Sequence, residues 1–141
     1  MSVAVLLITH NRIGAELLDT ASRMLGRCPL PAAALAVSEL DEPEGLIREA
    51  ASAIVDIDQG AGVLVLTDLF GSTPSNVANA LKDRGNVRVL TGVNLPMLVR
   101  ALNYPGLDLA ALAEKAVSGG RDGVMACPLA GEGPAAALHR P

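Results

Sequence analysis

The chain of 141 residues is half hydrophobic yet holds one Phe, one Tyr and no Trp, and its formal net charge is −4. So acidic and aromatic-poor a chain lacks the basic footprint and stacking platforms of a nucleic-acid binder. Its two cysteines, Cys28 and Cys127, are too few and too far apart for a disulfide framework or a zinc site, and no metal is expected.

Residues 3–8 form a continuous apolar run closed by Thr9-His10-Asn11, the pattern of a strand covered on both faces. The run is too short for a membrane span and follows no basic segment, so a cytoplasmic protein without membrane insertion is expected. From Ile13 the period changes: Leu17, Leu18, Ala21, Met24 and Leu25 recur at helical spacing until Gly26 and Pro29 end the helix. Residues 32–37 read as a second strand. Leu46, Ile47, Ala50, Ala51, Ile54 and Val55 mark a second amphipathic helix opened near Glu42-Pro43. A third buried strand is expected over 62–67, a helix over 74–82, and a fourth strand over 87–90. Helices at 96–102 and 109–117 follow, then a break at Gly119-Gly120 and a short strand over 123–127. Alternation of strand and helix at this spacing implies βαβ units with right-handed crossovers. The expected fold is an open α/β sheet, mainly parallel and four-stranded, with helices on both faces and a short C-terminal strand. Residues 129–141 are an Ala/Gly/Pro-rich tail without periodicity.

In such a sheet ligands sit outside the carboxyl ends of the strands. The segments there are Thr9-His10-Asn11, Ser38-Glu39, the run from Thr67 to Thr73, and Thr91-Gly92-Val93-Asn94. His10 and Asp68 end the first and third strands, and adjacent central strands would bring them together. An imidazole accepts a phosphoryl group when one ring nitrogen is unprotonated and aimed at the donor. A carboxylate on the other nitrogen fixes the tautomer and stabilises the charge that develops. Asp68 can do this for His10. Gly71-Ser72-Thr73-Pro74 then opens a helix, with Ser72 or Thr73 as cap and Pro74 in the first turn, and free N–H groups there favour an anion. Each feature has a plain structural reading as a loop histidine or a cap. The absence of GxGxxG and Walker A sequences disfavours a nucleotide site.

Three motifs decide between these readings. Thr9-His10-Asn11-Arg12-Ile13-Gly14, Thr67-Asp68-Leu69-Phe70-Gly71-Ser72-Thr73-Pro74-Ser75-Asn76, and Thr91-Gly92-Val93-Asn94-Leu95-Pro96-Met97-Leu98 resemble the mannose-type enzyme IIA family of the bacterial sugar phosphotransferase system. The resemblance covers about residues 1–128. It implies that His10 takes phosphate from the histidine-containing phosphocarrier protein and passes it to an enzyme IIB. It also implies that Asp68 supports His10 and that Thr73 lies by the phosphate; Gly71 and Ser72, in the same anion-favouring helix opening, are expected to join it, and no cofactor is expected. The resemblance further implies a homodimer exchanging the short strand at 123–127, and the chain's end before any IIB domain makes a separate acceptor polypeptide the expectation. Two positions depart from the family pattern: Asn11 and Ser72 stand where many members have Gly. Runner-up readings are the phosphocarrier subunit of a dihydroxyacetone kinase and a regulatory module whose partner affinity changes when His10 is phosphorylated.

Overall fold

The computed structural model describes residues 1–131. Among these described residues nine elements follow one another: β1 (Ala4–His10), α1 (Ile13–Leu25), β2 (Ala32–Val37), α2 (Pro43–Ile57), β3 (Val63–Thr67), α3 (Thr73–Asn79), β4 (Val87–Leu90), α4 (Leu95–Leu102) and α5 (Leu109–Asp122). The sheet has four strands in the order β2-β1-β3-β4, and each neighbouring pair is parallel.

The unbroken apolar runs are explained by a core on each face. Side chains alternate along a strand, so Val5 and Leu7 of β1 and Leu64 and Leu66 of β3 enter one core with α1, α4 and α5. Leu6 and Ile8, with Val63 and Val65, enter the other with α2 and α3. Along β1 and β3 neither face meets water, so neither face needs polar residues. With almost no aromatics, both cores are filled by Val, Leu, Ile and Ala, which lets helices lie close on the sheet.

The C-terminal third corrects one expectation. No break falls at Gly119-Gly120: α5 continues through both glycines to Asp122. Both are buried, and they serve close packing of α5 on α4. A Cβ on Gly119 would lie 2.5 Å from Arg100 Cβ. No strand forms at 123–127 among the described residues; Gly123 caps α5 and the chain then leaves the body with Val124 and Met125 exposed. A strand exists only through its ladder, and among the described residues this segment pairs with no other strand. The expected tail from residue 129 lies mostly outside the described residues.

Candidate active site

The crossovers from β1 to β2 and from β2 to β3 run in opposite directions across the sheet. That reversal opens a crevice between the carboxyl ends of β1 and β3, where an α/β sheet offers a site. His10 is the last residue of β1, and Asp68 follows β3 directly. Register places Ile8 beside Thr67, so the two functional residues leave the sheet as neighbours.

One carboxylate oxygen does the joining. Asp68 Oδ2 accepts from the His10 backbone N–H at 3.0 Å and lies 2.9 Å from His10 Nδ1. An ionised carboxylate only accepts, so Nδ1 carries the proton and Nε2 keeps its lone pair. The His10 side chain is 42% exposed while that of Asp68 is 13% exposed. The pair thus has a buried support and an accessible nucleophile. Asp68 Oδ1 is buried without a hydrogen-bond partner among the described residues.

Thr9 sets the position of His10 from beneath, a role the motifs alone did not disclose. Its fully buried hydroxyl accepts from the Gly14 N–H at 2.7 Å, tying the first turn of α1 to the end of β1. A side chain at residue 14 would meet Thr9 Oγ1 at 2.9 Å and Leu7 Cβ at 3.1 Å. Gly14 is therefore required by close approach. The readable signal was a threonine ending an apolar strand, with a glycine five residues later inside a helical pattern.

The other expected residues divide. His10, Asn11, Val37, Ser38, Glu39 and Thr73 line one cleft of about 200 Å³, so Thr73 stands beside the nucleophile. Gly71 and Ser72 do not line it. Gly71 turns the chain at a φ of 83°, and Ser72, although at the N-cap position of α3, makes no side-chain cap. Its hydroxyl donates to Leu69 O at 2.5 Å and closes the turn before α3. Asn94, from the third motif, also serves structure. Its Oδ1 accepts from Met97 N at 2.9 Å and its Nδ2 donates to Gly120 O at 3.1 Å.

A largely buried carboxylate thus orients a more exposed imidazole at the switch point of a parallel α/β sheet. Comparison with known proteins gives the family. Residues 4–117 match the model of the "PTS system fructose IIA component" family, EIIA-man. Over 137 residues the chain is 34% identical to the mannose-specific EIIAB component of the phosphotransferase system of Escherichia coli, covering 89% of this chain and 40% of that protein. The solved mannose/sorbose specific IIA subunit from Enterococcus faecalis superposes with a TM-score of 0.81 at 28% identity, covering 92% of this chain and 97% of that one. A phosphotransferase system component EIIA from Streptococcus agalactiae shares the fold, with a TM-score of 0.76 at 21% identity over 89% of this chain and 97% of that one. The chain belongs to the mannose-type IIA components of the phosphotransferase system. Among the described residues no helix is long and apolar enough to cross a membrane.

Proposed function

We propose that this chain is a cytoplasmic phosphoryl carrier of a sugar phosphotransferase system, loaded on His10 by the histidine-containing phosphocarrier protein and unloaded to an enzyme IIB. The contact of 2.9 Å between His10 Nδ1 and Asp68 carries the reading. The Nε2 lone pair attacks the phosphorus of the donor's phosphohistidine. A bond forms from Nε2 to phosphorus as the donor's nitrogen–phosphorus bond breaks, and that electron pair returns to the donor imidazole. The Nδ1 proton stays in place, so the phosphorylated ring becomes cationic beside Asp68. The unpartnered Oδ1 then has a purpose: a buried acceptor without a donor is costly, and the new charge nearby offsets that cost. Transfer to the acceptor repeats the exchange in reverse.

The surroundings suit a protein partner. Leu40, Leu69 and Phe70 are exposed on the loops that follow β2 and β3, around the same sheet edge as His10. Large apolar side chains at a reactive edge favour docking of another macromolecule. We propose further that the protein is a homodimer in which residues 123–127 of each chain pair with the other subunit. The unpaired outer edge of β4 and the exposed Val124 and Met125 support this assembly.

Incubation with phosphoenolpyruvate, enzyme I and the phosphocarrier protein, followed by phosphosite mapping, tests the carrier role. A single acid-labile, base-stable phosphate on His10 is expected. Equal phosphorylation of a His10→Ala protein by the same donors overturns the assignment.

A further inference from the structure

Asn11 is the one non-glycine residue with a positive φ among the described residues, at 49°. The left-handed conformation costs an L-residue roughly 1–2 kcal/mol, a cost Asn usually reduces by bonding its side chain to nearby backbone. Here the compensation is missing. The Asn11 backbone N–H donates to Val37 O at 2.9 Å, which holds the residue in place, but its carboxamide makes no hydrogen bond among the described residues. Asn11, an exposed residue, lines the cleft together with His10 and Thr73. A strained residue with an idle donor beside a nucleophile is an observation from which function is properly inferred.

The charge around the cleft says what the donor is for. Asp68 lies behind the imidazole and Glu39 lines the same cleft. No Lys or Arg lines it. A phosphoryl dianion on Nε2 would therefore meet, besides the cationic ring that carries it, carboxylates and no Lys or Arg lining the cleft, and its oxygens need neutral donors. Among the cleft's residues, Asn11, Ser38 and Thr73 carry side-chain donors without a hydrogen bond among the described residues.

We propose that Asn11 is a phosphoryl-binding residue whose Nδ2–H donates to an oxygen of the phosphoryl group on His10, and that this bond biases phosphate toward the carrier. This rests on His10 being the carrier. In the exchange Asn11 gains and loses no proton; its bond strengthens as charge develops on the phosphoryl oxygens. Glycine at this position would keep the backbone and remove the bond, so Asn11 exchanges backbone comfort for retention of the phosphoryl group.

The test uses the full chain and its Asn11→Gly and Asn11→Asp variants, equilibrated with phosphorylated phosphocarrier protein. Asn11→Gly should melt no lower than the parent, because glycine accepts the left-handed backbone freely. Its phosphoryl equilibrium should shift toward the phosphocarrier by about three- to tenfold, the scale of one lost hydrogen bond at a half-exposed site. Asn11→Asp should shift it further, by about ten- to a hundredfold, with the loss easing as salt screens the new repulsion. The phosphorus-31 resonance of the phosphohistidine should move in both variants. Phosphorylation on His10 with unchanged equilibrium and resonance in both variants overturns the role of Asn11 alone. A parent chain that takes no phosphate on His10 overturns the carrier reading and this inference with it.

Discussion

The junction of β1 with β3 and the flank formed by β4, α4 and α5 draw on the same small set of aliphatic residues but end in opposite conditions. At the junction, Ala4 through Ile8 and Val63 through Leu66 are fully buried, both strands have neighbours on each side, and the ends are pinned by buried Thr9 and Thr67. On the flank, β4 has one neighbour, Arg88 is exposed, and the chain after α5 exposes Val124 and Met125. Transfer chemistry needs atoms held to a fraction of an ångström, so His10 stands where the structure is complete within one chain. The flank is satisfied by a second molecule on our proposal, so its apolar surface is left open. Five substitutions and one truncation break or sharpen this contrast.

The largest effect belongs to Asp68→Asn. The amide can still accept from the His10 backbone N–H, so the fold should survive. Oδ2 alone serves both the His10 N–H and Nδ1. An amide oxygen there holds the tautomer but supplies no charge for the ring that becomes cationic. An amide nitrogen there turns N–H toward Nδ1 and favours the proton on Nε2. Phosphoryl transfer should slow by about 100- to 10,000-fold, the scale seen when a carboxylate behind a catalytic histidine becomes an amide. Rapid-quench kinetics with phosphorylated phosphocarrier protein measure it, and parental rates would remove Asp68 from the mechanism.

Cutting the chain before Gly123 comes next, and acts on the flank alone. Light scattering should find the full chain dimeric and the shortened chain monomeric, with the weaker association amounting to at least about a hundredfold if the apolar faces of Val124 and Met125 are lost from the interface. Phosphorylation of His10 should persist, because nothing in the His10 cleft comes from these residues. A monomeric full chain, or equal association after cutting, would refute strand exchange.

Much of this contrast was legible in the amino-acid sequence, for reasons that differ between the regions. The strands over 4–10 and 63–67 were readable because burial on both faces leaves an uninterrupted apolar run, and the parallel topology then forced His10 and Asp68 to one edge. The end of α5 was misread because glycine has two meanings. At 119 and 120 a pair of glycines looks like a break, yet here each removes a Cβ that would strike α4. Ser72 was misread for a similar reason, since a hydroxyl at an N-cap position has another nearby acceptor in Leu69 O. Neither choice can be made without knowing which surface lies opposite.

That reading of the glycines gives the third effect. Alanine raises helix propensity at both positions by about 1 kcal/mol. At Gly120 the nearest atom is Met97 Cε at 3.0 Å, the far end of a flexible side chain, and Met97 Cβ at 3.3 Å needs only a small shift, so the propensity gain should leave Gly120→Ala near neutral in urea denaturation. At Gly119 the new Cβ meets Arg100 Cβ at 2.5 Å and Pro96 O at 3.2 Å, neither free to swing away. Gly119→Ala should cost a net of about 1–3 kcal/mol. Equal stability of the two variants would mean that α5 slides over α4 without resistance.

The smallest effect tests the residue that links the two regions. Asn94 follows β4 at the same sheet edge as His10, in a motif that resembles those of the reactive centre, yet every bond of its side chain is structural. Its Oδ1 caps α4 at Met97 N, and its Nδ2 reaches Gly120 O near the end of α5. Asn94→Ala loses both and should destabilise by about 1–2 kcal/mol, the range for a lost N-cap. Asn94→Asp keeps the acceptor for Met97 N and loses the donor to Gly120 O, so it should recover part of that loss. Because Val93 N–H still donates to Thr67 O, the end of β3 stays anchored, and transfer through His10 should be unchanged in both variants. If Asn94→Ala slows phosphoryl transfer at a temperature where it is fully folded, the flank reaches into the chemistry and the separation of the two regions fails.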